Sequence, residues 1–191
     1  SPRRPGVDPR TVEPARRAGE IGETKTMAFK SEQELEAYAE WAKDELRGMA
    51  EHVRSSDLFH EEVMGHAVWT LPHQVFIGKA WPQSNRNQAY WIISGPQLPT
   101  DHIDAGLAES AREAARHFSM KWQLQSGRLG ALDEHGGEQP GDDVDWQKIS
   151  ATLQAQAEAL YGLVEKEELW QPTQGPLVDP GEDDETATRP V

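Results

Sequence analysis

The chain has 191 residues, enough for one domain or at most two, and its 36% apolar and 27% charged residues make it leaner than an average globular sequence without marking it as wholly disordered. Its 19 Lys and Arg against 33 Asp and Glu leave a net charge of −14, which argues against a phosphate-backbone binder, and with no cysteine there is no disulfide, zinc knuckle, iron–sulfur cluster or thiol nucleophile. No apolar run approaches the roughly 18 residues of a membrane span and no signal-peptide core is visible, so the expectation is a soluble, cytoplasmic, acidic domain with neither nucleic acid nor membrane as partner.

Residues 1–26 hold four prolines, three glycines and six basic residues, with only Val7, Val12 and Ile21 to bury. Such a segment gains too little from burial to offset its ordering entropy, and it reads as a disordered upstream or linker stretch before a start at Met27. Its basic run is the one feature that would suit a nucleic-acid arm. At the other end, residues 171–191 contain four prolines and the run Glu182-Asp183-Asp184-Glu185, the composition of a disordered acidic tail. The intervening body, 27–170, carries 12 basic and 24 acidic side chains, so the acidity belongs to the folded part.

The body opens with a helix over about 32–54. Ser31 and Glu34 form an S-x-x-E capping box, and Leu35, Tyr38, Ala42, Leu46, Met49 and Val53 recur at helical spacing. Glu40–Lys43, Asp44–Arg47 and Arg47–Glu51 are spaced to pair on its outer face. Three strands follow, at 66–71, 73–81 and 89–94, separated by Pro72 and by the polar turn Pro82–Gln88. Tyr90-Trp91-Ile92-Ile93 is apolar on both faces, as in a central strand covered on each side, and the short turn before it predicts an antiparallel hairpin.

Two further helices complete the body. Leu107, Ala111, Ala114, Ala115, Phe118 and Trp122 mark the first, with Gly127 as its expected stop and 130–142 as a Gly/Asp-rich loop. Trp146, Ile149, Leu153, Ala157, Leu160 and Val164 mark the second, capped by Asp143 or Asp145. The order α-β-β-β-α-α predicts an α+β domain, a small antiparallel sheet of about three strands packed by about three helices.

The segment Trp91-Ile92-Ile93-Ser94-Gly95 followed by Leu98-Pro99-Thr100-Asp101 resembles the hallmark of an uncharacterised bacterial family, domain of unknown function 4826. Arg112-Glu113-Ala114, Phe118, Trp122 and the closing Glu167-Glu168-Leu169-Trp170 extend the likeness over about Glu34 to Trp170. The resemblance implies a bacterial, soluble, single-domain protein and brings no activity.

Seven histidines raise the question of a metal. His60-Glu61 begins like H-E-x-x-H, but position 64 is Met, and His60 and His66 flank Gly65 at a spacing that fits no helix face. A site gathered from His66, His73, His102 and Asp101 is the remaining geometry; scattered histidines are the simpler one, and the expectation is no metal and no cofactor. Asp101, after the central strand, is placed either to act as a general base with His102 and His73 at the strand ends or, with Thr100 or Asp104, to cap the next helix. Ser94-Gly95 lacks a nucleophile elbow because position 92 is Ile, and Gly78-Lys79 lacks the rest of a P-loop.

The seven tryptophans are the most unusual part of the composition. Most fall at core positions, while Trp41, at the margin of its helix stripe, and Trp81, at a strand end, are the candidates for an exposed ligand or partner contact. Without an intact catalytic motif, the leading expectation is a non-enzymatic interaction domain that offers an acidic face to a basic protein. A hydrolase, or a small-molecule binding protein with its site at the strand ends, is the alternative. Oligomeric state is left open.

Overall fold

The computed structural model describes residues 29–134, 144–171 and 189–190. The element order is α1 (Glu32–Ser55), β1 (Val63–Leu71), β2 (Val75–Pro82), β3 (Tyr90–Gly95), β4 (Leu98–Asp104), a 3₁₀ turn (Ala105–Leu107), α2 (Ala111–Glu134), α3 (Trp146–Val164), a second 3₁₀ turn (Glu167–Trp170) and the two-residue β5 (Arg189–Pro190). The expected N-terminal segment and most of the expected acidic tail lie outside the described residues. Among the described residues no helix is long and apolar enough to cross a membrane.

The α+β reading holds, with four main strands in place of three. β1 to β4 form an antiparallel meander, and β5 adds to the outer side of β1, giving the order β4-β3-β2-β1-β5. The fourth strand replaces the loop expected after Gly95. Its sequence, LPTDHID, is half-buried and polar, as suits an edge strand, so neither composition nor alternation announces it. Gly95 lets the end of β3 lie close against the neighbouring β1–β2 turn, because a side chain there would collide with the Gln74 carbonyl.

The pleat sends alternate residues to two separate cores. Phe76, Ala80, Ile92 and Val63 face α1, where Met49 and Val53 meet them. Ile77, Trp91, Ile93 and Trp69 face the α2–α3 pair and pack on Ala114, Phe118, Trp122, Ala157 and Leu160. The sheet is therefore covered on both sides, as the two-faced apolarity of β3 required. Gly78 allows α1 to rest close, since a Cβ there would come within 2.8 Å of Met49 Sδ.

Local chemistry sets the ends of α1. Glu34 N–H donates to Ser31 Oγ at 3.2 Å, closing the expected cap. At the other end Asp57 N–H donates to the Arg54 carbonyl and Leu58 N–H to the Val53 carbonyl, the paired bonds of a Schellman motif. Asp57 holds the left-handed position, φ 54°, that glycine usually occupies, while Leu58 packs into the core beside Val53. Glu40–Lys43 and Asp44–Arg47 pair at 3.0 and 2.8 Å.

α2 and α3 lie antiparallel along a polar seam. Arg112 Nε donates to the Val164 carbonyl, Ser119 Oγ to the Ala157 carbonyl and Ser126 Oγ to the Ser150 carbonyl, each at 2.9 Å. Both sets of positions advance by seven residues in opposite directions, the repeat of a two-helix seam. α2 starts at Ala111, behind a second S-x-x-E box: Glu113 N–H donates to Ser110 Oγ, and Glu109 N–H to Glu113 Oε2. It runs on to Glu134 through the expected stop at Gly127 and the start of the expected loop, whose remaining residues 135–142 lie outside the described ones. Leu107 sits exposed in the 3₁₀ turn, and Ile149 on the outer side of α3, so neither joins the core stripe expected for it. Asp145 caps α3 by accepting from Lys148 N–H at 3.0 Å.

Candidate functional site

β2 alternates so that Val75, Ile77, Lys79 and Trp81 share the face covered by α2 and α3. Because α2 begins only at Ala111, that face is uncovered toward Trp81. A cavity of about 490 Å³ opens there, lined by His66 and Val68 of β1, Lys79 and Trp81 of β2, Arg86 of the following turn, Ala89 and Trp91 at the start of β3, and Glu109 to Ala111 at the head of α2. A register shift between Ala67 and Trp69 bulges β1, which lets both His66 and Trp69 face this side despite their odd spacing.

The walls are aromatic, and the polar lining joins two cations, Lys79 and Arg86, to Glu109, Ser110 and His66. Lys79 Nζ lies 4.4 Å from the Trp91 ring centre, and the Arg86 guanidinium 5.0 Å from that of Trp81. The His66 ring meets Trp81 edge-on at 5.2 Å. Trp91 is fixed by its indole N–H, which donates to the Ala108 carbonyl at 3.0 Å. Among the described residues neither Lys79 nor Arg86 has a carboxylate within 4.0 Å. Burial, reinforced by the neighbouring Arg86 charge, holds the Lys79 ammonium below the usual lysine range. The cations rest on indole faces, inside a strongly acidic chain, with Glu109 the one carboxylate among the described lining residues.

The residues singled out from sequence are not gathered in one place. Asp101 faces α2, where its carboxylate accepts from Lys121 Nζ at 2.8 Å, Trp122 Nε1 at 2.9 Å and the backbone N–H of His102 at 2.8 Å. It caps no helix; Asp104 does that for the 3₁₀ turn, accepting from Gly106 N–H. His102 points to the opposite face, its Nδ1 2.9 Å from His52 Nε2. Burial lowers the affinity of both imidazoles for a proton, most strongly opposed by the Asp101 charge.

His73 sits in the β1–β2 turn at φ 61°, where Gln74 N–H closes a type II turn on the Leu71 carbonyl behind Pro72. Its ring packs on Trp41 at 5.5 Å. Trp41 and His52 lie eleven residues apart on α1, about 16 Å along its axis, so His73 and His102 meet the helix at distant points. Among the described residues no cluster of three or more His, Asp or Glu is placed to hold a metal ion. Trp41 is half-buried, its indole N–H enclosed without a hydrogen-bond partner. Trp81 is only 4% exposed, a wall of the cavity and not the outward contact expected of it.

Lys79, Arg86 and Ser110 went unmarked in the sequence. Lys79-x-Trp81 carries a usable signal, since the pleat puts both on one face, but beside Gly78 the lysine reads only as a fragment of a phosphate loop. Nothing local reveals that Arg86 folds back over Trp81.

The sequence model of one family, described as a domain of unknown function (DUF4826), matches residues 35–170. Neither the curated proteins nor the solved structures contain a match.

Proposed function

The chain belongs to the DUF4826 family, and for this member we propose binding of a small anionic ligand in the cavity between the head of α2 and the Lys79–Trp81 end of the sheet. One observation carries the reading: two cations, the half-buried Lys79 and the exposed Arg86, stand over indole faces without carboxylate partners among the described residues, in a chain of net charge −14. A partly buried cation with no counter-charge is an electrostatic vacancy that an anion fills with gain. The volume falls in the range of ordinary ligand sites, and the lining joins an aromatic wall to polar and charged groups in about equal measure, which suits a ligand with both characters.

The chemistry favours a ligand with an acidic group and a flat apolar part. The acid would draw Lys79 and Arg86 off the indole rings, and the flat part would take their place against Trp81. The test is a tryptophan-fluorescence titration with benzoate, phenyl phosphate and inorganic phosphate, run against neutral benzamide. Quenching by the aryl anions alone, lost in Lys79→Met and Arg86→Gln, is the expected result. Equal response to benzamide, or none to any anion, overturns the reading.

A further inference from the structure

A second concave surface lies on α2, away from the cavity. It is a groove of about 370 Å³ lined by Ile103 of β4, Leu107 of the 3₁₀ turn and, from α2, His117, Met120, Lys121, Leu124, Gln125 and Arg128. Its apolar residues face water: Leu107 is 54% exposed, Met120 52% and Leu124 64%. Leu132, two turns beyond Leu124, continues the strip at 47%. Clustered apolar exposure of this kind marks an interaction surface more than scattered single residues do.

Charge selects the occupant. From Ala114 to Leu132 the helix carries Arg116, His117, Lys121 and Arg128 and not one acidic residue, in a chain where acids outnumber bases 33 to 19. The net acidity of the chain suggests a basic partner; at this surface the local sign is the reverse. We propose that the groove docks an acidic amphipathic helix of another protein, its leucine-type residues at three- and four-residue spacing over Met120 and Leu124, and its carboxylates toward Arg128 and His117, Lys121 being already paired with Asp101.

Other occupants fit less well. A strand adding to β4 would need the edge backbone, but at its centre the His102 N–H already donates to Asp101 and the His102 carbonyl already accepts from Lys121. Pro99 supplies no N–H at all. A second copy related by a twofold axis would set the same cationic strip against itself. An anionic bilayer would attract the strip but repel a chain of net charge −14.

The test uses the full chain and a synthetic helical peptide with leucines on one face and glutamates on its flanks, compared with a lysine-flanked twin. Fluorescence anisotropy should show binding of the glutamate peptide alone, weakening as salt rises. Leu124→Glu and Arg128→Glu should each lower the affinity tenfold or more while leaving the melting temperature and the benzoate response unchanged. Equal binding of both peptides, no binding, or indifference to Leu124→Glu overturns the proposal. So does a concentration-dependent dimer that Leu124→Glu abolishes, or capture of phosphatidylserine vesicles without the peptide. The benzoate response reads the cavity separately, so failure at one site is distinguishable from failure at the other.

Discussion

Lys121 reaches from α2 to touch two consecutive residues of the edge strand, the Asp101 carboxylate at 2.8 Å and the His102 carbonyl at 3.1 Å. One ammonium therefore fastens helix to sheet and occupies a backbone acceptor that an open edge would offer to any passing strand. Asp101 completes the arrangement from the other side by accepting the His102 N–H. Its side chain is only 17% exposed, and its second oxygen takes the Trp122 indole N–H. This anchors the sheet to the helix pair at the middle of β4.

Asp101→Asn is expected to lower stability by about 1–3 kcal/mol, because the amide puts a donor where three donors already converge and leaves Lys121 without its counter-charge. Urea denaturation reads the change directly. An unchanged midpoint would remove the anchoring role. A response to benzoate equal to that of the parent protein would show that the cavity does not depend on Asp101.

The His52–His102 contact makes stability depend on pH. At 2.9 Å between ring nitrogens, one imidazole donates and the other must accept, so the folded protein resists protonating both. Burial lowers both affinities relative to the unfolded value of 6.5, Lys121 adds to that, and the Asp101 charge only partly opposes it. The unfolded chain then binds more protons below that value, and the contribution is full above pH 6.5 and lost as the pH falls beneath it. Urea midpoints measured downward from neutral pH should drop, and His52→Gln should flatten the slope.

Lys79 gives binding a pH profile of its own. Its depressed proton affinity means that the ammonium discharges earlier than an ordinary lysine as the pH rises. Benzoate affinity should therefore fall on the alkaline side before free lysine would titrate, and Lys79→Arg should shift that loss upward.

Asp57 offers a stabilising substitution. It holds φ 54° at the end of α1, a conformation that costs a residue with a Cβ and suits glycine. Asp57→Gly should raise stability by about 0.5–1 kcal/mol, since the ion pair it makes with His60 is exposed on both sides. A lower thermal midpoint would mean that the Asp57 side chain contributes more than the backbone relief.

The seam between α2 and α3 predicts the opposite response to added bulk. Ser119 is wholly buried and its hydroxyl reaches the Ala157 backbone at 2.9 Å, so the helices approach too closely for a larger group. Ser119→Leu should cost about 1–3 kcal/mol by overpacking. Backbone amide shifts should concentrate on α2 and α3, with α1 little affected.

Much of the frame is legible in the sequence because the deciding forces are local. The Ser31–Glu34 box, the stripe of α1, the two-faced apolarity of Trp91-Ile92-Ile93 and the Asp145 cap each act within a few residues. β4 is not legible, because an edge strand needs neither an apolar face nor regular alternation, and its polar residues are satisfied by Lys121 and Trp122 some twenty positions away. The start of α2 was readable in Ser110-Ala111-Arg112-Glu113, a second capping box, but the apolar Leu107 draws the helix too far forward. The cavity depends on where α2 stops covering the sheet and on Arg86 folding back, both properties of assembly.

The short turn after α3 brings Trp170 onto Trp69, the rings stacked at 4.0 Å and 17°, while the Trp69 indole N–H donates to the Leu169 carbonyl. Two indoles held that close share their electronic excitation instead of absorbing separately. The folded chain should therefore carry an exciton couplet in circular dichroism that belongs to this one pair. Its loss would signal that the end of the domain has lifted from β1, giving a label-free optical gauge of closure already built from the chain's own residues.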